Sequence, residues 1–266
     1  VFDLSLFTWI VAVSIPPLLV TVPRQVRRLL PFIMARLAPG QTPPAATTLI
    51  LLNTLQNLAL VTLAAGLGTA LASRAGLGAP VFSALAAGQS PWPALRPMLA
   101  PALTVGGAGA IVMLIVYYTL VRPRLGPGTR LTVETLRVES GWLSRVGYGG
   151  IVEEILARWG LMTTLAWIGV VVIGAATPAV IWAANLGAGV VFGLAHLPPL
   201  LAAGEERGRF LWGATVGLNL WVSLVFGWLY WQHGLAAAML AHGLLHLIWL
   251  PTDWWLNTTH KDRGDV

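Results

Sequence analysis

Residues 146–174 read VGYGGIVEEILARWGLMTTLAWIGVVVIG. A membrane-spanning helix needs about 20 predominantly apolar residues. This run is longer than that, yet it carries three charges, Glu153, Glu154 and Arg158. A charged side chain at mid-bilayer costs about 2.5–3.5 kcal/mol on insertion scales, so such residues face inward and usually work there. The stretch therefore reads as a membrane helix with polar chemistry on it. Its Arg158-Trp159-Gly160 interruption leaves a second reading open, two shorter spans.

The remainder of the chain has the same character. Apolar runs fall at roughly 4–22, 47–72, 100–121, 178–201, 209–231 and 233–251. The expected fold is all-α: a polytopic integral membrane protein with seven to eight transmembrane helices around an intramembrane polar cavity. Of the 266 residues, 56% are hydrophobic and 10% charged, against about 25% charged in a soluble protein. Mean hydropathy is +0.75. Disorder is excluded, because disordered chains are polar and highly charged. Too little charge is present to coat a soluble enzyme of this size. With no cysteine, disulfides, thiolate metal sites and a cysteine nucleophile are excluded as well. One transmembrane domain over 1–266 is expected, with N-terminal spans at 1–121 and motif-bearing helices at 140–250.

The basic residues are nearly all arginine and sit between the apolar runs, so membrane orientation explains them and nucleic-acid binding does not. Arg24, Arg27, Arg28 and Arg36 follow the first run; Arg122, Arg124, Arg130, Arg137 and Arg145 follow the third. The positive-inside rule puts both connectors in the cytoplasm. Arg207, Arg209, Lys261 and Arg263 join them if the spans number seven. The first run is too long for a signal-peptide core and is read as a true span. The Pro/Gly/Ser-rich stretch Ala79–Pro101 reads as a connector, partly interfacial. A short surface helix is expected around Thr132–Glu139. Trp254 and Trp255 read as interface anchors. Gly189 and Gly193 form a G-x-x-x-G pair that lets their helix approach a neighbour closely.

Three polar constellations lie inside the apolar runs. Glu154 and Arg158 are four apart and share a helix face, where they can pair. Glu153 is rotated about 100° away, free of that pair. Phe192 and His196 also share a face. His242 and His246, again four apart, have the geometry of two metal ligands or of a base and an oxyanion donor. Each constellation alone is equally compatible with packing. Under seven spans, the three can meet in one cavity in the cytoplasmic half of the membrane.

In their order, E-E-x-x-x-R, F-x-x-x-H and H-x-x-x-H, these motifs resemble the CAAX protease and bacteriocin-processing family, whose best-known members are the type II CAAX prenyl endopeptidases. The resemblance covers about residues 140–250. It implies an intramembrane endopeptidase. Glu153, with His196, would activate a water; His242 and His246 would receive the tetrahedral oxyanion; Glu154, Arg158 and Phe192 would support them. A carboxylate in a low-dielectric cavity can serve as a general base near neutral pH. The type II enzymes carry Asn where this chain has His246. That departure adds a zinc alternative, with Glu153, His196, His242 and His246 as ligands, beside the metal-independent reading that is preferred. The implied partners are a peptide or prenylated protein substrate and the lipid bilayer. Ala/Gly/Arg-rich composition suggests a GC-rich genome, hence a prokaryotic cytoplasmic membrane.

Other mechanisms fit less well. Gly243 occupies the glutamate position of a zinc H-E-x-x-H motif, and no serine-nucleophile elbow occurs. Two further functions stay open at this level. One is a proton- or ion-linked transporter, although no internal repeat is visible. The other is a non-catalytic scaffold or immunity-type membrane protein.

Overall fold

Seven helices long and apolar enough to cross a membrane occur among the described residues: Leu4–Phe32, Ala46–Ala75, Trp92–Arg124, Trp142–Ile173, Pro178–Ala195, Arg209–His233 and Leu235–Trp255. The structure is a computed structural model that describes residues 2–34, 44–202 and 208–262. No strand occurs among them. Arg36, Arg207 and Arg263 lie outside the described residues.

An eighth span is not formed. Trp142–Ile173 is one continuous helix through Arg158-Trp159-Gly160. Those residues do not break it because they face protein. Arg158 and Trp159 are fully buried, and Trp159 Nε1 donates to the Ala65 carbonyl at 3.2 Å. A Cβ at Gly160 would stand 2.6 Å from that of Ala64, so only glycine lets the second and fourth spans close here. The winding also departs from the α-helical expectation. Arg145–Glu153 and Ile155–Met162 are π-helical, with i→i+5 hydrogen bonds. Such winding is rare and concentrates at functional sites.

Several boundaries move. The first helix runs on to Met34 despite four internal prolines. The Ala79–Pro101 stretch is not a connector throughout: Pro80–Ala86 is a short helix, and Trp92–Pro101 already belongs to the third span. Pro93 falls in its first turn, where a missing N–H costs nothing. The surface helix begins earlier than expected, at Pro127, and ends at Glu139. His233 closes the sixth span, and Gly234, at φ 88°, turns the chain into the seventh.

The arginines of the first and third connectors converge on one end of the bundle. Arg28 donates to Ser140 Oγ at 2.9 Å and to the Leu136 carbonyl at 3.2 Å. Arg122 pairs with Glu134 at 2.6 Å. Arg137 and Arg145 both pair with Asp253 near the end of the seventh span. The fourth and seventh spans are thereby pinned together at the arginine-rich end.

The fifth and sixth spans pack closely against each other, and the G-x-x-x-G pair is the seam. A Cβ at Gly193 would lie 3.0 Å from both Cα and O of Val216, and one at Gly189 would lie 2.7 Å from Leu220 Cδ1. Backbone at Val216 cannot yield as a side-chain tip can. Gly193→Val is therefore expected to destabilise by about 1–3 kcal/mol, read as a lowered thermal midpoint in detergent, while Gly213→Ala, which meets nothing within 4 Å, leaves the midpoint in place.

Candidate active site

The fourth span presents its two adjacent glutamates to different surroundings. Glu154 is fully buried. Its Oε1 lies 3.1 Å from Arg158 Nη1 and 2.6 Å from His242 Nδ1. Arg158, also fully buried, sits over the rings of Phe192 and Phe226 at 5.1 and 5.6 Å. A buried charge survives only with such partners. Glu153 makes none of these contacts and keeps 23% of its side chain exposed. It faces a cavity.

Two imidazoles flank Glu153 there. His196 follows the last turn of the fifth span and brings Nε2 to 4.0 Å from Glu153 Oε2. Its Nδ1 contacts the Phe192 carbonyl at 2.8 Å, and its ring lies 4.6 Å from that of Phe192. His242, on the seventh span, brings Nε2 to 3.9 Å from the same Glu153 oxygen. A carboxylate accepts, so the 2.6 Å contact to Glu154 is donated by His242 Nδ1, which leaves Nε2 to the cavity. The two separations from Glu153 exceed a hydrogen bond. The imidazoles thus converge on the carboxylate without closing on it.

His246 lies one turn beyond His242, their ring centroids 5.0 Å apart. Its Nδ1 is buried with no hydrogen-bond partner among the described residues. A Cβ at Gly149 would fall 2.6 Å from His246 Nε2 and 3.3 Å from His242 Nε2. Glycine at 149 keeps that space open in front of both rings.

Glu153, His196 and His242 meet; Glu154 and Arg158 pair; His246 stands beside His242. The link from His242 to Glu154 was not anticipated, because the pair joins two different spans. Phe226, whose ring stacks on His242 at 4.9 Å, was also missed. So was Tyr148, which donates to Asn57 Oδ1 at 2.7 Å and lines the cavity with Glu153. Five residues before Glu153, Tyr148 is brought to the same side by the i→i+5 winding, which an α-helical reading does not reveal.

Glu153 stands where two cavities join. One, of about 520 Å³, is walled mainly by apolar side chains, among them Leu29, Leu156, Leu161 and Val191. The other, of about 350 Å³, reaches His242 and His246 and also Arg137 and Arg145. Glu153, His196 and Tyr148 line both. No group of three or more His, Asp or Glu side chains among the described residues is placed to hold a metal ion. His242 has only Nε2 to offer, since Nδ1 is engaged by Glu154. The donor set as placed does not fit the four-residue zinc site.

The apolar spans thus enclose a carboxylate flanked by two imidazoles. Residues 140–248 match the family model described as type II CAAX prenyl endopeptidase Rce1-like. That segment holds the fourth to seventh spans and every residue of the site. No curated protein and no solved structure matches the chain.

The unequal burial of the two glutamates yields a direct expectation. Glu154→Gln leaves Arg158 buried without its counter-charge, and breaking a buried pair costs about 3–5 kcal/mol; its thermal midpoint should fall by many degrees. Glu153→Gln removes no ion pair closer than 3.9 Å and should unfold with the wild-type midpoint. Equal losses in the two variants would contradict the division of roles.

Proposed function

We propose that the protein is an intramembrane endopeptidase that hydrolyses a prenylated CAAX-type or other C-terminal peptide with a glutamate- and histidine-activated water. The observation that carries this reading is the placement of Glu153: partly exposed, between two imidazoles, in the shared wall of two largely apolar cavities. The match over residues 140–248 supports the reaction class.

Glu153 takes the proton of a water held between it and His196 Nε2, and the water oxygen attacks the peptide carbonyl. His242 Nε2 and His246 receive the resulting oxyanion over the opening at Gly149. Donation from Nε2 requires His242 to carry both ring protons, a charge that Glu154 is placed to balance. Glu153 then returns its proton to the departing amine. Phe192, Phe226 and Arg158 hold His196, His242 and Glu154 in register. The larger cavity suits a prenyl chain or an apolar residue on the N-terminal side of the scissile bond. None of these steps needs a metal.

The positive-inside rule supports reading the arginine-rich end as cytoplasmic, with the site in the cytoplasmic half of the membrane. A reporter fused after residue 202 should then report the cytoplasm.

Cleavage of a farnesylated CAAX peptide by purified protein, followed by mass spectrometry, tests the reading. Wild type should release the C-terminal tripeptide, and Glu153→Gln should lose at least about 10²-fold in rate. Dialysis against a chelator should leave wild-type cleavage intact. His246→Asn, which restores an amide donor, should retain activity, whereas His246→Ala should lose about 10²–10³-fold in kcat. Wild-type cellular function in Glu153→Gln would point instead to a non-catalytic scaffold.

A further inference from the structure

Three guanidinium groups in the smaller cavity have donors to spare. Arg28, Arg137 and Arg145 all line the cavity that holds Glu153, His242 and His246. In each, Nη2 is buried and has no hydrogen-bond partner among the described residues. One other nitrogen of each is engaged. Arg28 Nη1 donates to Ser140 and the Leu136 carbonyl. Arg137 Nε donates to Asp253 Oδ1 at 2.7 Å. Arg145 Nη1 donates to Asp253 Oδ2. The Arg145 side chain is only 8% exposed. Arg137 lies over the Trp249 ring at 4.7 Å.

The acidic neighbours leave these three donors unused. Asp253 serves both Arg137 and Arg145 through other nitrogens, Glu139 acts on Arg28 from the surface helix, and Glu153 is the carboxylate in the cavity wall. Buried donors without acceptors are costly, and the arginine fork matches a carboxylate in shape and charge. The site is therefore incomplete without an anion.

We infer that Arg145, with Arg137 and Arg28, binds the free α-carboxylate at the C-terminus of the peptide substrate. The inference rests on the endopeptidase reading for the position of the scissile bond, and it adds a ruler. Arg145 and Glu153 are the two ends of one π-helical segment, eight residues apart, so their axial separation is below the about 12 Å of an α-helix of that length. An extended tripeptide spans about 10 Å. A carboxylate held at Arg145 thus sets the third peptide bond from the C-terminus beside Glu153. The arginines are positioning residues: they act on binding and register rather than on the reacting atoms.

The test compares a CAAX peptide with a free C-terminus against the same peptide amidated. Binding is read in the Glu153→Gln variant from tryptophan fluorescence, with Trp249 as the reporter beside Arg137, and turnover is read in wild type. The acid peptide should bind at least about tenfold more tightly than the amide, as expected for charge-assisted hydrogen bonds. In wild-type turnover the difference should appear in KM rather than kcat. Arg145→Gln should abolish the discrimination; Arg28→Gln, at a half-exposed position, should reduce it and serves if Arg145→Gln fails to fold. Equal binding of acid and amide, with cleavage of both, would overturn the carboxylate site and leave the endopeptidase reading standing. Discrimination in binding without wild-type cleavage of either peptide would uphold the site and overturn the endopeptidase reading. Loss of discrimination on moving from neutral lipid to phosphatidylglycerol nanodiscs would assign the arginines to a lipid phosphate instead, and overturn the proposal.

Discussion

A carboxylate with no access to water sits at the centre of this bundle, and the spans around it are arranged to make it tolerable. Glu154 is held by Arg158 on its own helix and by His242 on the seventh span. Arg158 in turn is covered by Phe192 from the fifth span and Phe226 from the sixth. Four spans thus contribute to one charge-neutralising cluster. In a medium without water the alternative, a bare ion, costs several kcal/mol, so the cluster specifies which helices are neighbours and at what height. Hydrophobic burial cannot supply that specificity between helices, because lipid is as apolar as leucine.

The same cluster orients His242 and Glu153. Because Glu154 engages Nδ1, the opposite nitrogen of His242 faces the cavity. Because Glu154 and Glu153 are adjacent, fixing the first fixes the second. Glu153 then makes no close ion pair and stays open to the cavity. At the arginine-rich end Asp253 repeats the device on a smaller scale, joining the seventh span to the fourth and to the surface helix through Arg145 and Arg137. The two anchors bracket the smaller cavity.

Much of this was legible in the sequence. Charges stand out in an apolar background, so Glu153, Glu154, Arg158, His196, His242 and His246 could be found by their cost alone, and four-residue spacing predicted the Glu154–Arg158 pair and the nearness of His242 to His246. The G-x-x-x-G seam was legible for the same reason: few residue types permit backbone approach. What stayed hidden has no such contrast. Phe226 is one aromatic among many in an apolar helix, and its role depends on the sixth span meeting the seventh. Asp253 lies among proline and tryptophan at a helix end, where a surface role is the simpler reading. The π winding of the fourth span leaves no mark in a pattern read at 3.6 residues per turn. Prolines in Trp92–Pro101 read as a connector, although the first of them suits a helix start.

Two cavities that share Glu153 in their walls have a thermodynamic consequence. Whatever fills either one meets the same carboxylate. Apolar surface gains from leaving water in both, and each molecule that enters takes water from around Glu153. Filling a cavity and desolvating the carboxylate are therefore one event, and the proton affinity of that group rises as the space closes.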